Sequence, residues 1–93
     1  MERKVLIVDD ELSVLKALER ALRKEGYGLL TAESGEHALE LLSGYKVAVI
    51  LSDINMPGMN GIEFLARAQQ VSPDSIKMVL SGYADIDLVM DAI

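Results

Sequence analysis

Val47-Ala48-Val49-Ile50-Leu51-Ser52-Asp53 is an unbroken apolar run that closes on a serine and an acid. Near the start of the chain, Val5-Leu6-Ile7-Val8-Asp9-Asp10 has the same form. Aliphatic, largely β-branched residues without polar alternation read as strands covered on both faces, the pattern of a parallel sheet held between helices. Strands are therefore predicted over 5–8 and 47–51, each delivering acidic residues to the same end of the sheet.

The stretches between and beyond these runs have helical spacing. Leu12, Leu15, Leu18 and Leu22 recur at intervals of three and four with Ala17 and Ala21 among them, while Glu19, Arg20, Arg23 and Lys24 fall elsewhere around the cylinder. This predicts an amphipathic helix ended by Gly26. A short second strand is expected over 27–32, followed by a helix capped by Ser34, carrying Ala38, Leu41 and Leu42, and stopped by Gly44. Met56-Pro57-Gly58-Met59-Asn60-Gly61 is turn chemistry. It leads into a third helix with Phe64, Leu65, Ala68 and Val71 inward and Pro73 beyond its end. Ile76–Leu80 reads as a fourth strand finishing at Ser81-Gly82, and Asp85 as the cap of a fourth helix. The order β-α-β-α-β-α-β-α, with such short connections, implies right-handed parallel crossovers. One domain over 1–93 is expected, an open, doubly wound α/β sheet.

Composition narrows the function. The 93 residues carry no cysteine, which excludes a disulfide framework and thiolate metal sites. A net charge of −6 disfavours direct contact with nucleic acid or an anionic membrane surface. No apolar run approaches the ~18 residues of a membrane span, and Met1-Glu2-Arg3-Lys4 leads straight into the first strand without a leader pattern. A soluble, cytoplasmic protein is the expectation.

In sheets of this kind ligands sit beyond the carboxyl ends of the strands, where the winding direction reverses. Here those ends carry Asp9, Asp10, Asp53 and Ser81. Two carboxylates about 4 Å apart repel by roughly 4 kcal/mol at an effective dielectric near 20, so clustered acids call for a cation. Hard oxygen donors select Mg²⁺, Mn²⁺ or Ca²⁺, and one or two carboxylates with waters and a phosphate is the usual Mg²⁺ arrangement. One carboxylate is then suited to act as a nucleophile toward phosphorus, with the Ser81 hydroxyl donating to a phosphoryl oxygen. His37 reads as a surface residue, and Met56, Met59, Met78 and Met90 as core and turn filling.

Asp9-Asp10 after the first strand, Asp53-Ile54-Asn55-Met56-Pro57-Gly58-Met59-Asn60-Gly61 after the third and Leu80-Ser81-Gly82-Tyr83-Ala84-Asp85 after the fourth together resemble the receiver domains of two-component response regulators. The resemblance spans the whole chain. It implies the flavodoxin-like (βα)5 fold of chemotaxis-type regulators, with Asp53 phosphorylated by a sensor histidine kinase or phosphotransfer protein, or by a small phosphodonor. It further implies that Asp10 and Asp53 bind Mg²⁺ by side chain, with Mn²⁺ as a substitute, and Asn55 by its backbone carbonyl. Asp9 then acts mostly through water and Ser81 is the switch hydroxyl. Such a domain is a signalling module controlling an output domain, with self-phosphorylation and self-dephosphorylation as its only chemistry.

The departure from that pattern lies after Asp85. The family places a lysine at the end of a fifth strand, followed by a fifth helix, and the 93 residues stop before both. Lys77, at the start of the fourth strand, is at the wrong end of the sheet to replace it. The expectation is a receiver lacking its last βα unit, either a piece of a longer protein or a genuinely shortened relative with an incomplete site, whose exposed fourth strand leads it to self-associate, swap elements or lose much of its stability. Two other readings compete. One is a phosphorylation-independent interaction module of the same fold. The other, a Mg²⁺-dependent phosphohydrolase with an Asp nucleophile, calls for a second Asp where Asn55 stands and for a cap domain.

Overall fold

The computed structural model describes residues 4–80. Over them the chain alternates β1 (Lys4–Val8), α1 (Leu12–Arg23), β2 (Gly28–Ala32), α2 (Gly35–Gly44), β3 (Val49–Asp53), α3 (Gly61–Val71) and β4 (Ile76–Leu80). Every strand pairing is parallel, in the order β2-β1-β3-β4. The two continuous aliphatic runs thus occupy the central strands, where both faces need covering.

Neighbouring strand residues point to opposite faces, and the burial follows that alternation. Leu6, Val8 and Ile50 pack with Ala38 and Leu42 of α2 and with Phe64 and Ala68 of α3. Val5, Ile7, Val49 and Leu51 pack instead with Leu15, Leu18 and Leu22 of α1. Helices cover both faces, so the sheet is doubly wound and flavodoxin-like. Winding reverses between β1 and β3, which opens a crevice at their carboxyl ends.

The caps follow the residue chemistry. Ser34 Oγ accepts from the His37 amide at 3.1 Å and Asn60 Oδ1 from the Glu63 amide at 2.9 Å, each satisfying a free donor of a helical first turn. His37 itself is exposed. α1 ends at Arg23, and Gly26 follows with φ 81°, a left-handed conformation that glycine adopts without steric cost.

Three expectations need correction. The third strand runs over Val49–Asp53, two residues later than 47–51. Val47 is buried, but its carbonyl accepts from the Ser75 hydroxyl at 2.6 Å, so a side chain takes the place of the sheet ladder there. Leu12, read as part of the buried stripe of α1, is 52% exposed, and Val71 of α3 is 57% exposed. Each is the terminal residue of its helix. Ser81 and the helix expected after Asp85 lie outside the described residues.

Candidate functional site

The carboxyl edge of β1 and β3 gathers acid. One carboxylate oxygen from each of Asp9, Asp10 and Asp53 lies within 4.8 Å of the other two. Asp9 is buried, Asp53 half-buried and Asp10 exposed, so the cluster grades from the protein interior to solvent. Asp9 is tied at both ends: its amide donates to the Ala32 carbonyl at 3.1 Å, and its Oδ1 accepts from the Glu11 amide at 2.8 Å.

Burial raises the pKa of Asp9 above the ordinary carboxylate value; the hydrogen bond from the Glu11 amide opposes this, and the charges of Asp53, Asp10 and Glu11 add to the rise. The folded state therefore holds the Asp9 proton more tightly than the unfolded chain does. Stability from this group is complete below the ordinary carboxylate pKa and is lost as pH rises through the raised folded value. In metal-free protein, Asp9→Asn keeps the acceptor for Glu11 and removes the charge. It is expected to raise stability at pH 7, with the gain shrinking as the pH falls toward the ordinary carboxylate value of about 4. Thermal melts in EDTA at the two pH values check this; an equal effect at both, or a loss at pH 7, contradicts it.

The backbone around Asp53 is unusually constrained. Its Oδ1 accepts from the Ile54 amide at 2.8 Å, and its carbonyl oxygen accepts from the Ser52 hydroxyl at 2.9 Å. The loop then folds back, with the Gly61 amide donating to the Ile54 carbonyl at 2.8 Å. A Cβ at Gly61 would overlap the Asp53 carbonyl oxygen and come within 2.9 Å of the Asp53 carbonyl carbon and of Ile54 Cα, so only glycine fits. Met56 and Met59 are buried in the α2/α3 core and pin the loop between those two points. Gly58, with φ 75°, makes the left-handed turn between them.

The structure thus brings Asp9, Asp10 and Asp53 together and puts Asn55 in the exposed part of the loop. Lys77 donates to the Ser72 carbonyl at 2.6 Å, at the amino end of the sheet and away from the acids. Sequence reading treated Ser52 only as the end of a strand. Its signal was a polar residue inside an aliphatic run, fully buried in the fold. The donor set, three carboxylates with one of them desolvated, suits a hard divalent cation, which relieves the mutual repulsion.

A parallel, doubly wound sheet with an acidic crevice at its reversal point defines a flavodoxin-like α/β domain. The comparisons make the class specific: residues 5–93 match the response regulator receiver domain family, and the chain belongs to it. The hydrogenase transcriptional regulatory protein HoxA of Cupriavidus necator is 43% identical over 81 residues, 87% of this chain and 17% of that protein. Sporulation initiation phosphotransferase F of Bacillus subtilis is 30% identical over 92 residues, 99% of this chain and 74% of its own length. The signal receiver domain of an HD domain-containing protein from Pseudomonas fluorescens superposes with a TM-score of 0.85 at 31% identity, covering 100% of this chain and 74% of that one. This chain therefore spans about a sixth of the length of HoxA and about three quarters of the shorter relatives.

Proposed function

We propose that this chain is the phosphoacceptor module of a two-component relay and that Asp53 takes the phosphoryl group. The observation that carries the reading is the meeting of Asp53 with Asp9 and Asp10 at the reversal point of the sheet, in a chain of the receiver family. A carboxylate oxygen of Asp53 attacks the phosphorus of a phosphohistidine on a partner kinase or phosphotransfer protein. The O–P bond forms as the P–N bond breaks, and the electron pair returns to the imidazole, which takes up a proton. Asp53 then carries an acyl phosphate.

Asp10 and Asp53 would hold Mg²⁺, or Mn²⁺ in its place, through their side chains and Asn55 through its backbone carbonyl, and Asp9 would act mainly through water. Bound there, the cation supplies positive charge against the acids and the phosphoryl oxygens. The Ile54 amide holds Asp53 Oδ1 in place, and Ser81 supplies the hydroxyl that reads the phosphorylated state. The transcriptional regulators among the relatives support an output domain alongside this module, and the net charge of −6 supports leaving nucleic-acid contact to that domain. The role is signalling in the cytoplasm.

The test is covalent labelling of the product of the complete reading frame. With acetyl phosphate and Mg²⁺ the protein should gain one phosphoryl group that hydroxylamine removes. EDTA should suppress the gain, and Asp53→Asn should abolish it at that position. Label found mainly on a serine, or persisting at the same level in Asp53→Asn, rules the assignment out.

A further inference from the structure

We propose that Ser52 is a positioning residue for phosphoryl transfer, acting through the 53–54 peptide on the Asp53 carboxylate; the inference rests on the phosphoacceptor reading. Ser52 is fully buried on a central strand, paired in register with Val8 on one side and Val79 on the other. A hydroxyl there is costly unless it is hydrogen-bonded, and an aliphatic residue suits the position better for packing alone. Its hydroxyl donates to the carbonyl of the next residue, Asp53.

That carbonyl belongs to the peptide whose N–H, on Ile54, holds Asp53 Oδ1 at 2.8 Å. A peptide is planar, so fixing its oxygen fixes the direction of its N–H. Ser52 therefore grips one side of the plane and the carboxylate hangs from the other. Gly61 lies against the same carbonyl, so close that an added Cβ would overlap its oxygen. With the plane gripped, the Asp53 carboxylate keeps one orientation relative to Asp9 and Asp10. Without the hydroxyl, the plane rocks about the flanking bonds and the carboxylate samples orientations unsuited to in-line attack.

Transfer from acetyl phosphate to Asp53, in which the O–P bond forms and acetate leaves, reads this directly in the full-length product. At saturating Mg²⁺, Ser52→Ala should label about 5–10-fold more slowly than wild type, with the folded fraction unchanged. Ser52→Thr, which keeps the hydroxyl, should restore the rate. If the added methyl prevents folding, Ser52→Cys, close in size with a weaker donor, should fall between wild type and alanine. A purely structural serine would lower stability without this split. Wild-type speed in Ser52→Ala, or equal slowing in well-folded alanine and hydroxyl-bearing variants, overturns the proposal while leaving Asp53 as acceptor. A wild-type protein that takes no label at Asp53 overturns the acceptor reading, and this inference with it.

Discussion

Gly61→Ala is expected to cost about 2–3 kcal/mol of folding stability, a fall of roughly 10–20 °C in the thermal midpoint of a domain this size. The added methyl would occupy the space of the Asp53 carbonyl oxygen and crowd two further backbone atoms, the Asp53 carbonyl carbon and Ile54 Cα. Backbone cannot rotate out of the way as the tip of a side chain can, so either α3 or the end of β3 has to move. Both movements break the hydrogen bond from the Gly61 amide to the Ile54 carbonyl. The same shift displaces Asp53, so labelling by a small phosphodonor should fall even in the molecules that remain folded. Gly44→Ala is the control, because a methyl there meets nothing within 4 Å. Differential scanning calorimetry on the two variants checks the expectation, and a Gly61→Ala midpoint within a few degrees of wild type would contradict the packing described.

The second large effect belongs to Phe64. Among the described residues it is the largest of the fully buried side chains, and it lies in the core that also takes Met56 and Met59 from the loop after Asp53. Phe64→Ala should cost about 3–5 kcal/mol, from lost transfer energy and the cavity left behind. That is a large share of the roughly 5–15 kcal/mol that holds a domain together. Urea unfolding should show a much lower midpoint with an unchanged slope. Leu12→Ala, at a side chain 52% exposed, should change stability by less than about 0.5 kcal/mol. A Phe64→Ala loss below about 1.5 kcal/mol would mean that this core collapses around the gap.

Much of the architecture was legible because the central strands have no polar alternation and α1 has a clean three-and-four spacing. The places that sequence misread share one cause: apolarity reports burial and not which backbone group partners which. Val47 is as apolar as Val49, yet the Ser75 hydroxyl takes its carbonyl, and backbone pairing begins only at Ala48, whose amide donates to the Lys4 carbonyl and whose carbonyl accepts from the Ile76 amide. Leu12 and Val71 keep the helical spacing but are the exposed end residues of their helices. Within the site, the gathering of Asp9, Asp10 and Asp53 was readable from strand order. The inward turn of Asp9 and outward turn of Asp10 were not, because adjacent acids look alike until the amide of Glu11 chooses one of them. Ser52 was hidden for a related reason: its partner is a backbone carbonyl that no residue pattern records.

The loop from Asp53 to Gly61 divides its residues between two tasks. Met56, Met59 and Gly61 face inward and hold it, whereas Asn55, Pro57 and Gly58 face solvent. Selection can therefore act on the two sets separately. An exchange at 55 meets solvent, whereas one at 61 must first be tolerated by the backbone that carries Asp53. Fixed and replaceable positions are thus interleaved along one short segment.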